Sequence, residues 1–113
     1  MTIPQHKGAA GERRAAEYLA AQGLAVVERN FRVRGGEIDL ICRDGHGVVF
    51  VEVRLRSGTG YGGAAASITA AKRNRLLLAA RHWLAHHGEQ ACRFDCVLIQ
   101  AGQIEWLKDA IRA

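Results

Sequence analysis

Glu37, Asp39, Glu52 and Arg54 stand in one stretch, GGEIDLICRDGHGVVFVEVRLR (Gly35 to Arg56), whose other residues are those of a buried β-hairpin. Side chains alternate along a strand, so Glu37, Asp39 and Ile41 share one face of the first limb and Ile38, Leu40 and Cys42 the other, while Phe50, Glu52 and Arg54 share a face of the second limb. With the turn centred on Gly45-His46, Arg43 faces Val48, Ile41 faces Phe50, Asp39 faces Glu52 and Glu37 faces Arg54. Directly opposed residues have Cβ atoms about 4.5 to 5.5 Å apart, and like charges there are destabilising. A proton shared between the acids would relieve the repulsion. So would a divalent cation such as magnesium, which takes carboxylate oxygens together with substrate phosphate oxygens. A third arrangement leaves both acids in solvent at the open end of the hairpin, paired with Arg54 or Arg34. Against it, the apolar VVFV before Glu52 marks a strand that runs through the core. A turn one residue longer would put the acids on opposite faces and remove the argument.

The elements that must hold these residues follow from pattern. GAAGERRAAEYLAAQ (Gly8 to Gln22) is rich in helix formers and is followed by Gly23, a C-cap, so it is the first helix. Ala16, Leu19 and Ala20 form its apolar stripe. Glu12 lies one turn before Ala16, on or beside the face that meets the core, where it serves either as a third acid or as a helix-start carboxylate favoured by the macrodipole. Leu24 to Val33 is a strand, Gly35-Gly36 a turn, Glu37 to Arg43 the second strand, and Asp44-Gly45-His46-Gly47 a hairpin turn. VVFVEVRLR is a third strand, and its unbroken Val and Phe content places it centrally. A Gly-rich loop from Ser57 to Ser67 carries Tyr61. A second helix, capped by Ser67 or Thr69, runs through AAKRNRLLLAARHWLAHH to Gly88. Leu76, Ala80, Trp83 and Leu84 supply its packing stripe, with Lys72, Arg75 and His82 along another side. RFDCVLIQ and QIEWLK close the chain as two strands. This order predicts an α/β fold, a central mixed sheet covered by the two helices, in one domain over residues 1–113.

The residues that carry chemistry then become recognisable. GEIDLI, an Asp-Gly turn and VFVEVR resemble the Asp, Glu-x-Lys motif of the restriction-endonuclease-like nucleases. The chain as a whole resembles the small bacterial YraN-type family, relatives of archaeal Holliday junction resolvases, through GERRAAEYLAAQGL, ERNFR, GEIDLI, FVEVR, GYGGAAASIT, KRNR and RFDCVLI in that order. The resemblance implies an α-β-β-β-α-β core and a metal-dependent endonuclease acting on structured or branched DNA, with a homodimer as the working unit. It implies that Asp39 and Glu52 hold magnesium or manganese with Glu12 completing the cluster, and that Glu37 and Asp95 support the site from behind. Arg54 departs from the pattern, because a guanidinium stays charged and can clamp a phosphate but cannot act as a general base. That departure leaves a second reading open, a nucleic-acid-binding module of the same fold that has lost its chemistry.

Charge agrees with a polyanionic partner. Sixteen Lys and Arg against eleven Asp and Glu give +5, and no acidic residue occurs between Glu52 and Glu89. Arg34, Arg56, Lys72, Arg73 and Arg75 are the candidate phosphate contacts, and Tyr61 is a candidate for stacking on an exposed base. The bland reading of this block is a solvated basic helix face. For Asp95, on the face of its strand opposite Cys96, an edge salt bridge is the other explanation. Three cysteines in a chain able to bury its own core predict no disulfide framework. The irregular spacing of His86, His87, Cys92 and Cys96 predicts no zinc. No stretch has the pattern of a secretory signal or a membrane span, so a cytoplasmic protein with no membrane partner is expected.

Overall fold

Alanine, glutamate and arginine dominate the first helix, α1 (His6–Ala21), and its end shows why the chain turns where it does. Gly23 takes φ +103, its N–H donates to Ala20 O at 3.0 Å and the Leu24 N–H donates to Leu19 O at 3.0 Å. These two bonds are a Schellman closure, and Leu24 and Leu19 are buried in the same cluster beneath it. The buried face of α1 is Ala15, Ala16 and Leu19; Ala20, expected in the stripe, is exposed because it lies one step round the helix from Leu19. The computed structural model describes residues 6–56 and 68–112, with side chains from 9 to 55 and from 68 to 112. Tyr61, the rest of the Gly-rich loop and the Arg56 side chain lie outside the described residues.

The strands are β1 (Ala25–Val33), β2 (Gly36–Arg43), β3 (Val48–Arg56), β4 (Cys92–Gln100) and β5 (Gln103–Leu107), with α2 (Ala70–His87) between β3 and β4. They form one sheet in the order β1-β2-β3-β4-β5. β3 is therefore central, as its Val and Phe run predicts. β3 and β4 pair in parallel and every other neighbour is antiparallel. The sheet is mixed because α2 is the long crossover that a parallel pair requires.

Alternation along β3 divides the core. Val49 and Val51 join Leu40, Cys42, Val97 and the buried residues of α1, whereas Val48 and Phe50 join Ile41 and the buried residues of α2. On the α2 side Phe50 meets Trp83 edge to face at 5.8 Å and stacks on Phe94 at 5.2 Å. Thr69 caps α2, its hydroxyl accepting from Lys72 N at 3.1 Å. α2 rests on the start of β2 at Gly36, where an added Cβ would stand 2.5 Å from Arg75 O. Only glycine allows that approach. At the β2–β3 turn the Asp44 carboxylate accepts from His46 N and Gly47 N at 2.9 and 3.1 Å, and Gly45 supplies φ +95.

Candidate metal and phosphate site

The β2–β3 ladder has the register that the sequence predicts, Arg43 with Val48 and Ile41 with Phe50, but it ends at Leu40 with Val51. Asp39 and Glu52 are thus not a ladder pair; they flank the point where the two strands part. On the other side of β2, pairing passes from Arg29–Leu40 to Phe31–Ile38, skipping Asn30 and Asp39, and Asn30 takes φ +53. Asparagine tolerates that left-handed conformation better than most residues. The expected strict alternation fails here: Ile38 packs with Ile41 on the α2 side, while Leu40 and Cys42 pack on the α1 side. Asp39 is the residue at which β2 changes face. Its carboxylate accepts from Val53 N at 2.8 Å, so the acid takes the place of the missing strand partner.

Three carboxylates converge in this split. Glu12 comes from α1 and Glu52 from β3, and both hydrogen-bond to Asp39 from β2. Burial, and next the Asp39 charge, lift Glu52 from 4.5 to about 7. The same two causes lift Glu12 to about 7, with the Asn30 side chain and Arg32 acting the other way. Asp39 is also raised, chiefly by burial, against the pull of the Val53 N–H. The trio therefore retains protons near neutrality, and the protonated glutamates donate to Asp39. Proton retention is one of the two reliefs open to crowded acids. Among the described residues, no set of three or more His, Cys, Asp or Glu side chains is already arranged around one ion position. The donor set itself is all carboxylate oxygen, which suits magnesium or manganese and not zinc.

Cations frame the acids. Arg54 Nη1 lies 3.6 Å from Glu52 Oε2, and the Arg54 Nε is buried without a hydrogen-bond partner. Glu37 does not pair with Arg54, because the ladder has ended; it is exposed and forms its ion pair with Arg32 across β1–β2 at 3.8 Å. Its charge still contributes to raising Asp39. Lys72, Arg73, Arg75 and Arg34 are exposed.

Asp95 is fully buried and pairs with Val51, the residue before Glu52, in the β3–β4 ladder. It accepts from Arg93 Nε at 3.0 Å, Trp106 Nε1 at 2.9 Å and Asp109 N at 2.7 Å, and Arg93 continues to Asp44 at 2.7 Å. This chain ties β4, β5 and the C-terminal turn to the hairpin loop. Burial pushes the Cys42 and Cys96 thiols up to about 12, so they remain protonated core residues. Cys92 is exposed. A cleft of about 530 Å³ lined by Leu98, Gln100, Ala101, Gln103, Ile104 and Glu105 contains none of the site acids.

Three contributors escape the reading of the hairpin alone. Asn30 and Arg32 reach Glu12, and Gly36 seats α2. The ERNFR segment held a usable sign for the first, an asparagine breaking a strand of otherwise large residues.

Residues 11–99 match the model of the uncharacterised protein family UPF0102. A UPF0102 protein of Dechloromonas aromatica is 62% identical over 107 residues, 95% of this chain and 89% of that protein. One from Nitrosomonas europaea is 53% identical over 114 residues, 97% of each chain. Another, from Methylobacillus flagellatus, is 53% identical over 105 residues, 90% of this chain and 93% of its own.

Proposed function

We propose, for a chain that belongs to the uncharacterised protein family UPF0102, a metal-dependent endonuclease activity on structured or branched DNA. The observation that carries this reading is the convergence of Glu12, Asp39 and Glu52, from three different elements, on the point where β2 and β3 part. A fold gains no stability from crowding three acids until two of them hold protons. Such a cluster is explained by a ligand that takes the protons' place. Asp39 and Glu52 would hold magnesium or manganese with Glu12 beside them; the bound ion supplies a polarised phosphate and a more acidic water.

The chain's own residues do the remaining work. Asp39 is fixed by the Val53 N–H, so its oxygens keep one orientation. Glu52 is held by Arg54, which offsets its charge at the edge of the site. Arg34, Arg73 and Arg75 are exposed cations able to follow a phosphate backbone, and contacts of that kind position a substrate without reading its sequence. Shape, not sequence, is then what the protein selects. Arg54 favours the second reading, a nucleic-acid-binding module without chemistry, since it cannot accept a proton from water.

Calorimetric titration with manganese, and cleavage of linear, flapped and four-way DNA, separate the two. The wild type binds manganese and cuts the branched substrates; Asp39→Ala abolishes both while DNA binding persists. Metal binding indifferent to Asp39→Ala would sink the nuclease reading.

A further inference from the structure

Across β3, β4 and β5 the register sets out rows: Glu52 with Cys96 and Leu107, then Arg54 with Leu98 and Glu105, and beyond them Gln100 with Gln103. Register partners project from the same face of a sheet, and residues two apart repeat that face. It is the α2 face: Phe50, two residues before Glu52, packs there, and Cys96 and Leu98 meet Ile68 and Ala110, which also join the α2 cluster. Leu98, Gln100, Gln103 and Glu105, together with Ala101 and Ile104, line the cleft of about 530 Å³. The cleft therefore opens on the sheet face that carries Glu52, one strand over and one row on. Strand spacing and rise put the Leu98 Cα roughly 8 Å from that of Glu52. From the other side of the sheet, Arg14 donates to Gly102 O in the β4–β5 turn, beside Ala101. Arg14 is two residues from Glu12, so the helix that supplies the third acid also holds the end of the cleft.

The lining indicates what the cleft takes. None of these six residues is Lys or Arg and Glu105 is acidic, so a phosphate is repelled. Leu98 and Ile104 offer apolar contact, the Gln103 amide both donates and accepts, and the Glu105 carboxylate accepts. A flat ring with N–H groups and acceptors along its edge matches that set, and a nucleobase is such a ring. The cavity is also of the size usual for small-ligand sites. We infer that the cleft receives one unpaired nucleobase of the DNA, from a nucleotide adjoining the phosphate held at Glu12, Asp39 and Glu52. This rests on the reading above that the substrate is a phosphodiester of structured DNA. A base stacked in a duplex must be unstacked at a cost before it can enter, whereas a branch point or flap offers bases already free. Selection for shape thereby gains a physical basis.

Gln103→Ala combined with Glu105→Ala, in the full-length protein, removes the polar lining; both side chains are exposed on an edge strand and lie outside the core. The probes are two flapped DNA duplexes with identical phosphates, whose unpaired nucleotide at the branch carries its base in one and is abasic in the other. Fluorescence anisotropy without added metal gives the ratio of the two affinities, which the charge lost with Glu105 leaves unaffected. The wild type is expected to bind the flap with the base about 10-fold tighter, the order of one base read by hydrogen bonds. The double variant is expected to bind the two alike. Equal wild-type affinities, or a double variant that keeps the preference, would overturn the inference and leave the nuclease reading standing. A wild type that prefers the base yet cuts neither flap with manganese would end the nuclease reading and leave the cleft standing. Binding of neither flap would overturn both. Displacement of the flap by an equal concentration of a nucleoside monophosphate would assign the cleft to a small nucleotide, against the inference.

Discussion

Removing the Glu52 carboxylate should stabilise the metal-free protein above neutrality, and the size of the effect follows from the crowding of the acids. Glu52 titrates near 4.5 in the unfolded chain and is pushed up to about 7 in the fold, first by burial and then by Asp39. Between those values the native state binds the proton and the unfolded state does not. Stability therefore falls as pH rises through that window and is lowest above about 7. At about 1.4 kcal/mol per pH unit, the gap corresponds to a loss on the order of 3 kcal/mol. Its side chain is only 15% exposed, so solvent screening takes little from that figure. Glu52→Gln keeps the shape and removes the charge. Urea unfolding at pH 5, 6, 7 and 8 should give a falling curve for the wild type and a flatter one for Glu52→Gln, the two meeting near pH 5. Saturating manganese should flatten the wild-type curve too, since a bound cation displaces the protons. A wild-type curve that is level or rising between pH 5 and 7, or a variant that keeps the full slope, would refute the reasoning.

Two further expectations come from the same geometry. Asp95→Asn should cost about 3 to 5 kcal/mol in urea unfolding, the usual result of breaking a buried charged network from one side, while manganese titration stays as in the wild type. Arg54→Lys, which supplies a side chain able to lose its proton, should raise the rate of DNA cleavage if the proposed nuclease activity holds; an unchanged rate would place the proton transfer elsewhere.

Much of the architecture was legible because it depends on short-range rules. Gly23 and Gly88 stop the helices, Asp44-Gly45 turns the hairpin, and the run Val48 to Val51 could only be a covered strand. The register Ile41–Phe50 followed from the turn length alone. The site was legible as a set of residues and not as a geometry. Periodicity assumes that a strand continues, and β2 does not continue evenly through Asp39. Its departure depends on Asn30, which neighbours it only through the fold. For the same reason Glu37 went to Arg32 and not to Arg54. Alternation put Asp95 on the face opposite Cys96 and left an edge salt bridge open; its donors Trp106 and Asp109 come from chain that folds back over β4.

The parallel pairing of β3 with β4 has a consequence for the order of assembly. Glu12, Asp39 and Glu52 all lie in the first half of the chain, on a helix and two strands joined by a tight turn. Those contacts close over short distances along the chain. β4 must wait for α2 to cross the sheet, a closure with a larger entropic cost. A nascent chain can thus gather its acids before the strand that buries the far side of β3 arrives. Until then the burial that chiefly raises the three acids is incomplete.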